Sequence, residues 1–215
     1  MSVVTIRGLL GSGAPEIARQ IADRLQANYV DREIIAEVAA RLQRKEEEVE
    51  AKEMPATSLL GLIAEALEHN YAFGDALAGA YLSFGEMPLD DTRYLQALES
   101  VVRELARSQP LVILGRGSQF ILKDYPGALH VLVVAPLETR LKRLMQERNL
   151  DQETAKLEIE RFDKSLRKFV KRYFKAELED PVYYDLILNT ERLTFQAASS
   201  IVVDTLSFKD QTTNK

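Results

Sequence analysis

The chain has 215 residues, 46% hydrophobic and 28% charged, which is ordinary for one globular domain with a sizeable core. Its net charge of −5 argues against nonspecific binding to nucleic-acid backbones, although local cations still decide whether a small anion binds. The absence of cysteine excludes disulfides and thiolate chemistry. The first residues lack a signal-peptide pattern and no apolar run approaches ~20 residues, so we expect a soluble, cytoplasmic protein without membrane partners.

Short apolar runs alternate with amphipathic stretches along the first half of the chain. In chain order they predict a strand at Val3–Ile6, a helix at Glu16–Gln26, a strand at Asn28–Val30, a helix carrying Ile34, Ile35, Val38 and Leu42, and helices at Leu59–Asn70 and Thr92–Arg107. The charged run Arg44–Lys52 is interpreted as a solvated helix face or a mobile connection. An apolar stripe in the Leu59–Asn70 helix is either core or the face of a possible homodimer; its members are Leu59, Leu60, Ile63 and Leu67.

The second half continues the same alternation. It predicts strands at Leu111–Leu114, Leu129–Val134 and Tyr184–Leu188, helices at Ser118–Leu122, Leu137–Arg148, Asp151–Lys175 and Leu193–Leu206, and a frayed polar tail at Phe208–Lys215. Strands joined through helices favour a parallel sheet with right-handed crossovers. We therefore expect an α/β fold, a doubly wound domain with five parallel strands.

A glycine-rich turn follows the first strand and carries the strongest functional signal. Gly8, Gly11 and Gly13 surround Ser12, and glycine permits the positive φ angles that bring backbone N–H groups close to an anion. The helix behind the turn adds the positive end of its dipole. This layout is typical of a phosphate-binding loop. The alternative is a tight strand-to-helix turn that binds no ligand.

Two chemical groups of a standard phosphate-binding loop are missing. Ala14 and Pro15 stand where such a loop has Lys and then Ser or Thr. Losing the Lys removes a charge-assisted contact worth about 1.5–3 kcal/mol, and losing the hydroxyl removes a usual magnesium ligand. Backbone amides can still bind phosphate. Fast phosphoryl transfer, however, would need other cations, and arginines elsewhere in the chain are the candidates.

Three arginines follow predicted strands and could supply this charge. Arg116 stands between two glycines after the strand Leu111–Leu114, and ligands of open α/β sheets bind beyond the carboxyl ends of the strands. Arg140 and Arg143 share a helix face, so both could reach one polyphosphate. The alternatives are a surface arginine in a tight turn for Arg116 and a solvated helix face for the pair.

Two further pairs of charged residues have more than one interpretation. Asp163 and Arg167 lie four residues apart, so Arg167 could bind a phosphate that Asp163 helps to orient, or the two could form an intrahelical pair. Asp31 and Arg32 follow the second strand at the same edge of the sheet. Asp31 could hold a substrate or could cap the next helix.

The order and spacing of several motifs resemble the cytidylate kinase-like family of P-loop nucleoside-monophosphate kinases. The motifs are Val4-Thr5-Ile6 with Gly11-Ser12-Gly13 and Glu16-Ile17-Ala18, Tyr29–Ile35, Val112–Gly117, Val131–Pro136 with Arg140, Asp163-Lys164 with Arg167, Asp180-Pro181, Tyr184–Leu186, and Asn189-Thr190. Each is weak alone, but the set extends from Val3 to about Leu206 and is fairly specific in its order.

The resemblance implies one P-loop domain over 1–207 with sheet order 2-3-1-4-5, a helical insertion near 44–108 that binds the nucleoside monophosphate, and a mobile lid near 145–178. It implies transfer of the γ-phosphoryl group of ATP, with Mg²⁺, to a nucleoside monophosphate such as CMP or dCMP. The residues implied are Gly8, Gly11, Ser12, Gly13 and Ala14 for ATP, Asp31, Arg32 and Arg116 for the acceptor, and Arg116, Arg140, Arg143, Asp163 and Arg167 for catalysis.

The chain departs from the family pattern at several of these positions. Members commonly lack the loop Lys but have Gly and Arg where this chain has Ala14 and Pro15. Arg7 and Gly8 stand where Ser and Arg are expected, so one cation could have moved by one position. Leu114 replaces an acid of the cytidylate kinases, which removes the obvious magnesium anchor. Two hypotheses follow, a nucleoside-monophosphate kinase and a catalytically impaired nucleotide sensor.

Overall fold

Five parallel strands form one sheet, as the strand pattern predicts, and their order β2-β3-β1-β4-β5 is the one that the family resemblance implies. The structure is a computed structural model that describes residues 2–53 and 89–213. The strands are β1 Val3–Gly8, β2 Asn28–Val30, β3 Leu111–Leu114, β4 Ala128–Val134 and β5 Leu186–Asn189. The predicted helix Leu59–Asn70 and its apolar stripe lie outside the described residues.

Helices connect the strands and cover both faces of the sheet. They are α1 Ala14–Leu25, α2 Glu33–Leu42, α3 Glu46–Glu53, α4 Asp91–Ser108, α5 Ser118–Ile121, α6 Leu137–Arg148, α7 Gln152–Phe174 and α8 Phe195–Thr213. Within the described ranges, no helix is both long and apolar enough to cross a membrane.

Alternation along the strands divides the core into two layers, because successive side chains of a strand point to opposite faces. Val3 of β1 packs in a layer with α2, α4 and α7, whereas Val4 packs in the layer of α1 and α8. Ile17 and Ile21 of α1 are fully buried in that second layer. The apolar stripe on α1 therefore holds the helix, and with it the preceding loop, firmly on the sheet.

The charged run after α2 is more ordered than the sequence suggests. It forms α3, which buries Val49 and Glu53 on one side. The interpretation of Arg44–Lys52 as a solvated face or mobile connection is therefore incomplete. Val49 and Glu53 lie four residues apart, so they share the face that packs onto the domain.

The end of the chain also differs from the prediction. Helix α8 continues to Thr213, so the predicted helix end at Leu206 is wrong, while a flexible tail stays a prediction. The Nζ group of Lys209 donates to the carbonyl oxygen of Ala128 at 2.6 Å and also contacts Asp185, which fixes the last turns against β4. The last strand begins at Leu186 rather than Tyr184, because the Tyr184 N–H donates to the carbonyl of Pro181 and closes a short turn before the strand.

Candidate functional site

A cavity of about 480 Å³ opens where β1, β2 and β3 end. It lies between the loop after β1 and the turn after β3, with α3 and α7 around it. The lining residues are Arg7, Gly8, Leu9, Leu10, Gly11, Ala14, Pro15, Asp31, Arg32, Glu50, Glu53, Leu114, Arg116, Arg148, Phe162, Leu166 and Phe169. The predicted phosphate loop and the predicted acceptor residues Asp31, Arg32 and Arg116 therefore share one cavity.

The loop between β1 and α1 has a backbone that requires glycine. Gly11 and Gly13 have φ angles of 78° and 86°, in the left-handed region where a side chain is strained. A Cβ on Gly11 would also come within 2.7 Å of the carbonyl oxygen of Arg140, and one on Gly13 would overlap the ring of Phe195. Because α8 and α6 pack so closely, the loop keeps its shape only without side chains at these positions.

Several N–H groups of this loop are available to an anion. The Leu10 N–H donates to Asp163 Oδ1 at 3.2 Å and the Ser12 N–H donates to the carbonyl of Leu9. The N–H groups of Gly11, Gly13 and Ala14 have no acceptor among the described residues. They lie at the start of α1, where the helix dipole is positive. This arrangement fits the phosphates of a nucleotide.

The same residues do not fit a magnesium ion held by the protein. Pro15 has no hydroxyl and Leu114 is apolar, although both line the cavity. Asp31 and Asp163 are each paired with an arginine. In the described ranges, no group of at least three His, Cys, Asp or Glu residues could hold a metal ion. Magnesium in this cavity would have to be held by phosphate oxygens and water.

Arg116 is placed by a left-handed turn after β3. Its φ is 59°, and its neighbours Gly115 and Gly117 also have positive φ angles, of 77° and 64°. A non-glycine residue there costs about 1–2 kcal/mol, a strain that is commonly retained at functional sites. The guanidinium Nη2 donates to Asp31 Oδ1 at 2.9 Å, and Nη1 donates to Glu53 Oε2. The side chain is 13% exposed, so this ion pair largely neutralises a cation at the cavity wall.

Glu53 is a site residue that sequence reasoning missed. Its side chain is buried on α3, where it accepts hydrogen bonds from Arg116 and from the Tyr94 hydroxyl, the latter at 2.9 Å. Burial raises the pKa of Tyr94 well above its usual value, so that hydroxyl stays a donor. The available signal was the spacing of Glu53 from Val49, which places both on one helix face.

Arg7 lies in β1 and also lines the cavity. Its guanidinium passes over Gly115, in the space that a side chain at that position would fill. Within the described part of the chain, Arg7 forms no hydrogen bond and no ion pair. Burial, together with the nearby charge of Arg116, lowers the pKa of Arg7 to about 9. Arg7 therefore remains a cation at neutral pH, but a poorly solvated one.

Arg140 is buried in an ion pair between α6 and α7. Its Nη1 donates to Asp163 Oδ2 at 2.8 Å and to the carbonyl of Leu10 at 3.1 Å. The arginine thus supports the loop after β1 and does not line the cavity. Asp163 pairs with Arg140 and not with Arg167, so the proposed intrahelical pair is wrong.

Arg143 also contacts the loop from outside the cavity. Its two terminal nitrogens donate to Thr190 Oγ1 at 2.9 Å and to the Thr190 carbonyl at 2.7 Å. The guanidinium lies 5.0 Å from the centre of the Phe195 ring. These contacts join α6 to the start of α8 beside the loop. A direct contact between Arg143 and a bound nucleotide stays a prediction.

Arg167 and Arg32 both have carboxylate partners. Arg167 Nε donates to Glu179 at 2.8 Å in an exposed pair away from the cavity lining. Arg32 Nη2 donates to Glu50 at 2.9 Å at the cavity rim. Asp31 does not cap α2, because Arg32 is the residue before that helix and no side chain bonds to its first turn.

Relatives by sequence support a kinase-like fold over most of the chain. A cytidylate kinase from Methanosarcina barkeri is 24% identical over 195 residues, which is 88% of this chain and 87% of that protein. A uronate isomerase from Corynebacterium glutamicum is 28% identical over 98 residues, which is 46% of this chain and 19% of that protein. The second likeness thus spans about a fifth of that relative's length.

Solved structures with the same fold include an uncharacterized protein from Eubacterium ventriosum, with a TM-score of 0.68 and 17% identity over 96% of this chain and 99% of that one. A shikimate kinase from Bacteroides thetaiotaomicron has a TM-score of 0.51 and 12% identity over 96% of this chain and 98% of that one. At these identities the likeness concerns the fold. The model of the cytidylate kinase-like family matches residues 3–192, nearly the whole domain. This chain belongs to the cytidylate kinase-like family.

Proposed function

We propose that this protein binds ATP at the loop after β1 and transfers its γ-phosphoryl group to a nucleoside monophosphate. The observation that carries the proposal is that the loop and Arg116 line the same cavity, of about 480 Å³. A donor and an acceptor bound at these two positions would lie next to each other. The likeness to cytidylate kinases over nearly the full length of both chains supports a nucleotide acceptor.

Catalysis in such a cavity would come from positioning and charge neutralisation. The N–H groups of Gly11, Gly13 and Ala14 would hold the donor phosphates. Arg116 would orient an acceptor phosphate, with Asp31 fixing its guanidinium through a hydrogen bond of 2.9 Å. The apolar side of the cavity, on α7, would keep water from the transferred group.

A second candidate function is a nucleotide sensor that binds ATP or a nucleoside monophosphate without turnover. One specific observation favours it, since Arg116 is already neutralised by Asp31 and Glu53. Arg140 is likewise committed to Asp163. Cations at the transition state of phosphoryl transfer are worth about 10³–10⁵ in rate. A cavity whose arginines are mostly paired with carboxylates could therefore bind phosphates and still transfer them slowly.

Coupled ADP release with ATP, Mg²⁺ and a panel of nucleoside monophosphates tests both functions. We expect Arg116→Met to lower kcat/KM by about 10³-fold, while Arg103→Met, an exposed arginine of α4, leaves it unchanged. Arg116→Met leaves the buried Glu53 carboxylate without its cation, which could itself unfold the protein. The double variant R116M/E53Q removes that charge as well and so separates lost activity from lost folding. Tight binding without turnover supports the sensor. No nucleotide binding at millimolar concentration rejects both functions.

A further inference from the structure

The cavity contains one lining cation without a partner in the described part of the chain, and this is Arg7. The other arginines that line it have carboxylate partners: Arg32 with Glu50, Arg116 with Asp31 and Glu53, and Arg148 with Glu158. Arg7 is partly buried and projects from a central strand, where β3 and β4 flank it on both sides. A charge that is partly withdrawn from water and has no partner destabilises a folded protein, so its presence needs an explanation.

The position of Arg7 suggests what compensates its charge. It precedes Gly8, the first residue of the loop, and its guanidinium lies over Gly115, next to Arg116. Arg7 thus lies between the proposed donor loop and the proposed acceptor residue. A phosphoryl group that bridges these two positions would bring two or more anionic oxygens within reach of the guanidinium, and guanidinium binds such oxygens in a bidentate manner.

We propose that Arg7 binds a phosphoryl group in this cavity and supplies the cation that the loop lacks at Ala14. The inference rests on the proposed function in taking the phosphoryl group to be that of a nucleotide, either the donor or the acceptor. Ala14 is buried above Gly8, so the loop itself offers only a methyl group where other loops offer an ammonium. A cation on the preceding strand can reach the same space without changing the loop.

A pair of opposite effects distinguishes this role from a structural one. Arg7→Met keeps the shape of the side chain but removes its charge. We expect the melting temperature of the free protein to stay the same or rise, because an uncompensated buried charge is lost. At the same time we expect the affinity for phosphoryl compounds to fall by about 10- to 100-fold. A residue needed only for packing would lower the melting temperature and leave the affinity unchanged.

Calorimetric titrations of the full chain with ATP, CMP and inorganic pyrophosphate test the proposal. Arg7→Lys, which retains a charge but not the bidentate fork, should bind with intermediate affinity, and Arg103→Met serves as the matched control. If Arg7→Met weakens the binding of ATP but not of CMP, Arg7 belongs to the donor site. If it weakens the binding of CMP but not of ATP, Arg7 belongs to the acceptor site. Both outcomes support the proposal.

The proposal and the function it rests on can fail separately. Wild-type affinity for all three compounds in Arg7→Met overturns the role of Arg7 and leaves nucleotide binding intact. Pyrophosphate binding that depends on Arg7, with no binding of any nucleotide, rejects the kinase and sensor functions but retains the phosphoryl site. Absence of binding to all three compounds by the wild-type protein rejects both. A lowered melting temperature in both Arg7 variants with unchanged affinity marks Arg7 as structural.

Discussion

The buried ion pair between Arg140 and Asp163 predicts an asymmetric loss of stability when either partner is removed. The two side chains are 8% and 6% exposed, and their nearest N–O distance is 2.8 Å. Asp163→Asn leaves a buried guanidinium that cannot lose its proton. Arg140→Met leaves a carboxylate that can become neutral, because burial already raises the pKa of Asp163 against the opposing effect of Arg140. The Asp163 variant should therefore be the less stable one.

The size of the effect follows from the burial of both groups. Removing one partner of a buried pair costs about 3–5 kcal/mol in the free energy of unfolding. For Asp163→Asn we expect this full range. At the length of this chain, each kcal/mol lowers the melting temperature by about 2–4 °C, so the shift should be roughly 6–20 °C. For Arg140→Met we expect the lower end of the range at pH 7.

The pH dependence separates the two variants further. In Arg140→Met the folded-state pKa of Asp163 lies above its unfolded value, so the folded protein binds the proton more tightly. The free energy of unfolding therefore increases as pH falls through the folded pKa, and this gain disappears as pH rises through the same value. Asp163→Asn has no such group and should show no corresponding gain. Urea unfolding followed by circular dichroism at pH 7 and pH 5 measures both effects.

An exposed ion pair between the same two helices provides the control. Arg148 and Glu158 are 2.7 Å apart but 47% and 37% exposed, so Arg148→Met should cost less than about 1 kcal/mol. The double variant R140M/D163N should cost less than the sum of the two single variants, because no charge is left buried. The reasoning is refuted if Asp163→Asn costs no more than Arg148→Met, or if the double variant costs the full sum.

Three further predictions concern the loop, acid stability and the last helix. Gly11→Ala should destabilise the protein by about 1–2 kcal/mol and weaken ATP binding, because Gly11 has a φ of 78° and a Cβ there would clash with Arg140. Thermal shift with and without ATP measures both effects. Asp91→Asn should remove about 1 kcal/mol of stability that the wild type loses between about pH 4 and pH 2, measured by urea unfolding. Lys209→Met should cost about 1 kcal/mol at neutral pH, since Lys209 donates to the carbonyl of Ala128.

The direction of the Asp91 effect follows from its partners. Burial raises the pKa of Asp91, but hydrogen bonds from Lys52, Arg172 and Tyr173 overcome this and lower it to about 2. Since the folded pKa lies below the unfolded one, the stabilisation is present above about pH 4 and disappears as pH falls to about 2. The side chain is 38% exposed, so solvent screening reduces the full effect. If the free energy of unfolding of Asp91→Asn fell between about pH 4 and pH 2 as much as that of the wild type, this reasoning would be contradicted.

Gly11→Ala and Lys209→Met each have a matched comparison in this chain. Gly127 also has a left-handed φ, at 79°, but lies before β4 and away from the loop, so Gly127→Ala tests backbone strain alone. It should lower the melting temperature without changing the shift produced by ATP. Truncation after Ser207 should destabilise at least as much as Lys209→Met, because it removes the same contact. A truncated protein of unchanged stability would support the prediction of a flexible tail.

The sheet and most helix bounds could be predicted because burial imposes a period on the sequence. Leu137–Arg148 is predicted and observed with the same ends, and Leu111–Leu114 likewise. The loop could be predicted because glycine adopts the positive φ angles needed at Gly11 and Gly13 without strain. These features depend on neighbours in the chain or on the alternation of faces, which a single sequence contains.

The partners of the arginines could not be predicted, because they depend on which helices meet. Sequence spacing suggests only pairs on one helix, such as Asp163 with Arg167. In the fold, α6 and α7 pack against each other, and Asp163 meets Arg140 instead. Glu53 was missed for the same reason, since its partner Arg116 is 63 residues away along the chain.

The N–H groups that have no acceptor in this cavity decide how a phosphate could be passed from donor to acceptor. Arg116 donates from Nε and Nη2 to Asp31 and from Nη1 to Glu53, which leaves only the second N–H of each terminal nitrogen. The loop amides can bind a donor phosphate, but backbone N–H groups do not follow it towards an acceptor. Arg7 lies between the two and has all its donors available within the described residues. If this protein transfers phosphate, its rate should therefore depend more on Arg7 than on Arg140, whose charge is already committed to Asp163.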